Sequence, residues 1–90
     1  MNPEIKHVSN KFYKTVDNLE CLLEYEMIEE DTIEFYHTFT PVPLRGNGYA
    51  MQIIKEGMDY AVKNNFKVVP ACSAVRTFIE RNPEYKQYLK

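Results

Sequence analysis

One short segment combines two glycines with an arginine where a phosphate group could bind. It lies directly before a stretch with helical periodicity. Glycines let a ligand approach the backbone, and the first amides of a helix have no partner within the helix. With the positive end of the helix dipole, such amides form an anion site. The alternative is a plain turn. The segment comprises Arg45, Gly46, Asn47, Gly48, Tyr49 and Ala50.

Two common phosphate-binding patterns do not fit this segment. The Walker pattern needs Gly-Lys followed by Ser or Thr, and the dinucleotide pattern needs a third Gly or Ala where Met51 stands. What remains is Arg-x-x-Gly-x-Ala, carried by Arg45, Gly48 and Ala50. The segment therefore matches neither of these two patterns.

Cys72 is a candidate nucleophile. It stands just before a second predicted helix that Ser73 can cap, and a helix amino terminus favours the thiolate and lowers its pKa. The alternative is an inert thiol packed beside Val69 and Val75, since buried cysteines are commonly structural.

His37 and Tyr85 are candidate acid–base residues. Strict alternation places His37 on one strand face with Phe35 and Phe39, turned towards the core or a cofactor slot. Histidine titrates near neutrality and can act as a general base, but such a face also suits a packed core histidine. Tyr85 could protonate a leaving thiolate or cover the core, because its ring is apolar and its hydroxyl polar.

Acidic residues concentrate in the first half of the chain. Residues 1–41 hold three Lys or Arg against nine Asp or Glu, and residues 42–90 hold eight against four. This asymmetry suits an anionic cofactor and a cationic acceptor on different surfaces, or only acids on a solvated strand face. Four glutamates could attract an amine or act as base through water: Glu20, Glu24, Glu26 and Glu34.

The elements that position these residues follow from periodicity. Alternation predicts antiparallel strands at 11–16, 19–28 and 32–39, with a turn at Asp17-Asn18. A helix from residue 50, a strand at 66–69 and a helix from 73 to about 81 follow, and the tail packs back. We expect one α/β (α+β) domain over residues 1–90, with a three-stranded meander and a helical crossover to a parallel fourth strand.

Composition excludes several classes. The chain is 44% hydrophobic and 27% charged, has no long apolar run, and begins without the apolar core of a signal peptide. Two distant cysteines predict reduced thiols in the cytoplasm, and neither His7 nor His37 has metal-ligand spacing with them. A net charge of −2 without a dense basic run argues against nucleic acid. The oligomeric state is open.

Several segments together resemble the small, single-domain GCN5-related N-acetyltransferase-like proteins. The resemblance covers about residues 9–89. It is carried by His37-Thr38, Pro41, the 45–50 loop, the run from Pro70 to Ser73 and the run from Asn82 to Tyr85.

The resemblance implies acetyl-coenzyme A as cofactor and an amine as acceptor. Coenzyme A would lie between the third and fourth strands, with its pyrophosphate on the amides of residues 46–50 and a bond from Arg45. Phe39 and Thr40, at the end of the third strand, would also bind it. The family has a cysteine at the position of Cys72, near the coenzyme thiol, so an acyl-cysteine route is implied beside direct transfer. Activity does not follow from fold alone, and a non-catalytic acyl-coenzyme A module or an interaction domain are the alternatives.

Overall fold

The structure is a computed structural model and describes residues 5–90. Five strands form one sheet with two α-helices, and 3-10 helices at Val42–Leu44 and Pro83–Tyr88 flank the helical part. The elements in order are β1 (Lys6–Val8), β2 (Lys11–Val16), β3 (Leu19–Glu29), β4 (Thr32–Phe39), α1 (Tyr49–Lys63), β5 (Lys67–Pro70) and α2 (Ser73–Arg81).

The sheet has the strand order β1-β2-β3-β4-β5. Its first four strands are antiparallel, while β5 runs parallel to β4 and is reached through α1. The predicted meander and crossover are therefore confirmed, and the mixed α/β class with them. The meander has one more strand than predicted, because β1 is only three exposed residues long and has no hydrophobic alternation to signal it.

The turn between β2 and β3 shows the predicted chemistry. Asp17 and Asn18 have φ of 51° and 65°, the left-handed values that a two-residue hairpin turn requires. This turn fixes the register, so Phe12 and Lys14 of β2 lie opposite Leu23 and Cys21 of β3. All four side chains are buried.

The core lies between one face of the sheet and the helices. The helical periodicity predicts the buried residues of α1 correctly, with Ile53, Ile54, Met58 and Ala61 all inside. Gly57 completes this face: a Cβ there would stand 2.7 Å from the Leu23 side chain. Helix α1 therefore packs closer to the sheet than any larger residue would allow.

A β-bulge in β4 overturns one predicted face. Tyr25 of β3 is opposite Phe35, but its neighbour Glu24 is opposite His37, so Tyr36 is extra and has no partner across the strands. The predicted inward orientation of His37 is therefore wrong, and this residue is exposed; Phe39, at the end of the strand, is exposed as well. Thr38 takes the inward position instead, because alternation restarts after the extra residue.

The opposite face of the sheet, which we call the open face, carries exposed or half-buried side chains. Register places the four glutamates there with Lys6 of β1 and Lys11 of β2. Its charged members are Lys6, Lys11, Glu20, Glu24, Glu26 and Glu34.

The carboxyl-terminal segment packs back as predicted. Tyr85 is buried within Pro83–Tyr88, and Leu89 forms a bridge with Val68 of β5. Within residues 5–90, no helix is both long and apolar enough to cross a membrane.

Candidate functional site

The glycine loop forms the amino-terminal end of α1. Gly46 and Gly48 have φ of 84° and 79°, which other residues adopt only with strain. Gly48 is the amino-terminal cap of the helix, and no side-chain hydrogen bond occupies the first amides there. The first backbone bond of the helix is donated by Gln52 to Gly48, at 3.1 Å. The amides before Gln52 therefore have no helical acceptor and face a potential ligand.

Two side-chain bonds hold the loop in shape. The Arg45 Nε donates to the Thr40 carbonyl at 2.9 Å, which leaves its terminal nitrogens for a ligand. The Asn47 Nδ2 donates to the Leu44 carbonyl at 2.9 Å. Asn47 thus stabilises the turn, while Arg45 presents a cation beside it.

A cavity of about 530 Å³ opens in front of this loop. Seven of the eight residues predicted to bind the coenzyme line it, and Asn47 is the exception. The seven are Phe39, Thr40, Arg45, Gly46, Gly48, Tyr49 and Ala50. The structure therefore brings the predicted binding residues, which span 12 positions of the chain, to one cavity. Asn47 does not line the cavity but supports the loop through its bond to Leu44.

The cavity also contains residues that the sequence did not indicate. Arg81, from the last turn of α2, lines it together with Thr38 and Ala74. Arg81 is 36 positions from Arg45, and no local pattern relates the two. The lining holds two arginines and no carboxylate. This charge pattern suits a polyanionic ligand.

Cys72 lies next to the cavity, behind Thr38. The Thr38 Oγ1 is 3.3 Å from the Cys72 Sγ, and the Phe35 carbonyl accepts bonds from the Ala71 and Cys72 amides, at 3.0 and 3.1 Å. These bonds close the pairing of β4 with β5 just where the bulge turns β4 away. The thiol therefore lies where the two parallel strands separate.

The environment of Cys72 favours its thiolate. Half-burial opposes ionisation, but hydrogen bonds from Thr38 and from the amides of Ala74 and Val75 outweigh it and lower the pKa of the Cys72 thiol. Cys21 is the contrast, because burial raises the pKa of that thiol against a smaller opposing effect of the Lys14 charge. Of the two cysteines, only Cys72 is in a setting for nucleophilic chemistry.

Tyr85 is engaged elsewhere. Its hydroxyl donates to Asp59 Oδ1 at 2.6 Å, and its ring packs against Phe78. Burial, followed by the neighbouring carboxylate, raises the pKa of Tyr85 to about 12. The residue covers the core in this structure, and its role as an acid stays a prediction.

His37 lies on the open face of the sheet, opposite Glu24 and away from Cys72. If His37 acts as a base, it does so on the open face of the sheet, and this role stays a prediction. Glu20 on the same face is paired with Lys11 at 3.0 Å, which partly neutralises it. Among residues 5–90, no group of three His, Cys, Asp or Glu side chains is placed to hold a metal ion.

Comparison with known proteins agrees with this geometry. The family model for GCN5-related N-acetyltransferases matches residues 11–89. This chain belongs to the GCN5-related N-acetyltransferase family.

Relatives and a solved structure extend the comparison. The protein NATD1 of Xenopus tropicalis is 32% identical over 70 residues, which are 78% of this chain and 63% of that protein. NATD1 of Danio rerio is 31% identical over the same shares. The match therefore spans less than two thirds of these relatives' length. An NMR structure of a GCN5-like candidate N-acetyltransferase from Staphylococcus aureus matches with a TM-score of 0.74 and 27% identity, covering 99% of this chain and 89% of that one. Most of the fold of that solved structure is thus present in this chain.

Proposed function

We propose that this protein binds acetyl-coenzyme A in the 530 Å³ cavity and transfers the acetyl group to an amine. The observation that carries the proposal is the lining of that cavity: two arginines, no carboxylate, and the free amides of a helix amino terminus. The pyrophosphate of coenzyme A is the anion that such a cradle suits.

Each part of the cavity has a share in binding. The amides from Gly46 to Ala50 would donate hydrogen bonds to the pyrophosphate oxygens, and Arg45 and Arg81 would neutralise phosphate charge from two sides. Space is open around both glycines, because a Cβ on either would meet nothing within 4 Å. Coenzyme A therefore fits the residues present. When bound, it supplies an activated acyl thioester.

Cys72 provides one route for transfer. Its thiolate would attack the thioester carbonyl carbon, forming an S–C bond as the coenzyme sulfur leaves with the electron pair and takes up a proton from solvent. An amine would then attack the acyl-cysteine, forming an N–C bond, releasing the Cys72 thiolate and losing a proton to solvent. In the direct route, the amine attacks the thioester itself and Cys72 has no covalent role.

A second candidate function is a non-catalytic module that binds acyl-coenzyme A. The feature that favours it is the open face, whose charged side chains are exposed or half-buried on the strand surface. The amine acceptor and the cytoplasmic location remain predictions.

Mass spectrometry after mixing with acetyl-coenzyme A tests the chemistry. An acetyl adduct at Cys72 and not at Cys21, with turnover of an amine panel that Cys72→Ala abolishes, supports the covalent route. Cys21 is a built-in control, because in denatured protein both thiols react alike. Turnover that survives Cys72→Ala supports direct transfer. Binding without turnover in either protein supports the module, and no heat with millimolar acetyl-coenzyme A in calorimetry contradicts both functions.

A further inference from the structure

Lys14 is the one lysine that the described structure buries. It lies on β2 facing the core and is 1% exposed. Its Nζ donates to Gln52 Oε1 at 2.7 Å and stands 4.6 Å from the centroid of the Tyr49 ring. No carboxylate within residues 5–90 forms an ion pair with it. A buried ammonium without a counter-charge is rare, because desolvation disfavours the charged form.

The Lys14 ammonium also lies against the amino-terminal end of a helix, where a second positive charge is unfavourable. Tyr49 and Gln52 belong to the first turn of α1, whose amino terminus already carries the positive end of the helix dipole. Lys14 therefore lies beneath a positive region rather than beside a negative one. In the free protein this arrangement costs stability, since like charges oppose each other in a poorly screened setting.

The same first turn lines the cavity. Tyr49 contacts the Lys14 ammonium through its ring and is also a lining residue, as is its neighbour Ala50. Tyr49 therefore connects Lys14 with an anion on the loop amides, since it touches the ammonium and lines the cavity. The charge of that anion would be felt through a low-dielectric medium.

We propose that Lys14 is a positioning residue that acts through Tyr49 and Gln52: its buried charge raises the affinity of the loop for phosphate groups at the expense of the free protein's stability. This rests on the proposed function, because the anion is the pyrophosphate of coenzyme A. Binding would supply the counter-charge that Lys14 lacks, so affinity and stability are linked with opposite signs.

Lys14→Met tests the proposal, because methionine retains much of the length and removes the charge. We expect the free protein to melt at a higher temperature, and the Kd for coenzyme A to rise between about three- and thirty-fold. The change in Kd for inorganic pyrophosphate should be similar, since that ligand contains only the anion. Lys11→Met is the matched control: it lies on the same strand but on the open face, and it should leave both Kd values unchanged.

Gln52→Glu is a second test that does not depend on accommodating a new core residue, because Gln52 is exposed. It keeps the bond to Lys14 and turns it into an ion pair. We expect higher stability and weaker coenzyme binding. In the Lys14→Met background the gain in stability should disappear, which shows that it acts through the ammonium.

The outcomes separate this proposal from the proposed function. A Lys14→Met protein that binds coenzyme A as tightly as wild type overturns the role of Lys14 alone. Loss of stability together with loss of affinity would assign Lys14 a merely structural role and also overturn it. If the wild-type protein binds no coenzyme A at millimolar concentration, the proposed function itself fails.

Discussion

The cavity in front of α1 and the open face of the sheet differ in how their charges are held. In the cavity, Arg45 is fixed by its bond to the Thr40 carbonyl, and backbone amides are aimed by the helix. On the open face, the glutamates stand on neighbouring strands, and register places Glu26 directly opposite Glu34. The first region is organised for one ligand in advance of binding, while the second offers only a charged surface.

That difference indicates where specificity resides. A preformed set of donors distinguishes ligands by shape and charge position, whereas neighbouring glutamates on a strand surface attract any cation. Under the proposed function, coenzyme A is therefore the partner that the preformed cavity would select. An amine acceptor would be selected by weaker and less directional contacts.

The largest expected effect concerns the two arginines. Replacing both, as Arg45→Gln and Arg81→Gln, should weaken coenzyme A binding at least about 100-fold, because each charged hydrogen bond contributes about 1.5–3 kcal/mol. Calorimetry measures the change. The open-face pair Lys6→Gln and Lys11→Gln alters net charge equally and should change Kd less than about three-fold. Similar losses in both proteins would mean that general charge, not the cavity, governs binding.

The next largest effect is expected from packing, which differs between the two faces of the sheet. Gly57→Val places side-chain atoms where Leu23 and Phe35 already stand, and should lower the free energy of unfolding by about 1–3 kcal/mol. Glu26→Val on the open face should change it by less than about 0.5 kcal/mol, since it also removes a like-charge pair. Urea denaturation gives both values. If Gly57→Val left the free energy of unfolding unchanged, the close approach of α1 to the sheet would be contradicted.

A smaller effect is expected at Thr38. Thr38→Val removes a hydrogen bond that lowers the pKa of the Cys72 thiol, so that pKa should rise and less thiolate should be present near neutral pH. Alkylation of Cys72 by iodoacetamide at pH 7 should slow about three- to ten-fold, and its pH profile should shift to higher pH. Thr15→Val, on the open face, is the control. An unshifted profile would show that the helix amides alone activate the thiol.

The smallest expected effect is that of His37. His37→Gln should leave coenzyme affinity within about two-fold of wild type, because the bulge directs this side chain to the open face. Steady-state transfer to an amine provides the sharper measurement. If the rate of transfer falls while Kd is unchanged, the acceptor is activated from the open face, and the two regions then serve different steps of the reaction.

Local signals were sufficient for the loop. Gly46 and Gly48 before a helical period, with Arg45 beside them, define a site whose parts are neighbours in the chain, so seven of eight predicted coenzyme-binding residues line one cavity. The same holds for the turn at Asp17-Asn18, where residue type and left-handed backbone agree. In both cases the physics acts over a few residues.

What the sequence could not show depends on distant parts of the chain. Arg81 reaches the cavity only through the packing of α2. The orientation of His37 was predicted wrongly because one unpaired residue, Tyr36, breaks a two-residue period that the sequence alone presents as unbroken. Lys14 was not singled out, because a lysine between Tyr13 and Thr15 is typical of a solvated strand position, and only the structure shows it buried.

The bulge also determines where the chain can change in length. Tyr36 stands outside the pairing of β4 with β3, so a chain lacking it would form a regular strand with Thr38 still against Cys72. Deletion of His37 leaves the same single residue between Phe35 and Thr38, so Tyr36 would take the position opposite Glu24 and Thr38 would again face inwards. Among related chains, the loss of one residue between Phe35 and Thr38 would therefore leave Thr38 beside Cys72, because the bulge holds one residue more than the pairing needs.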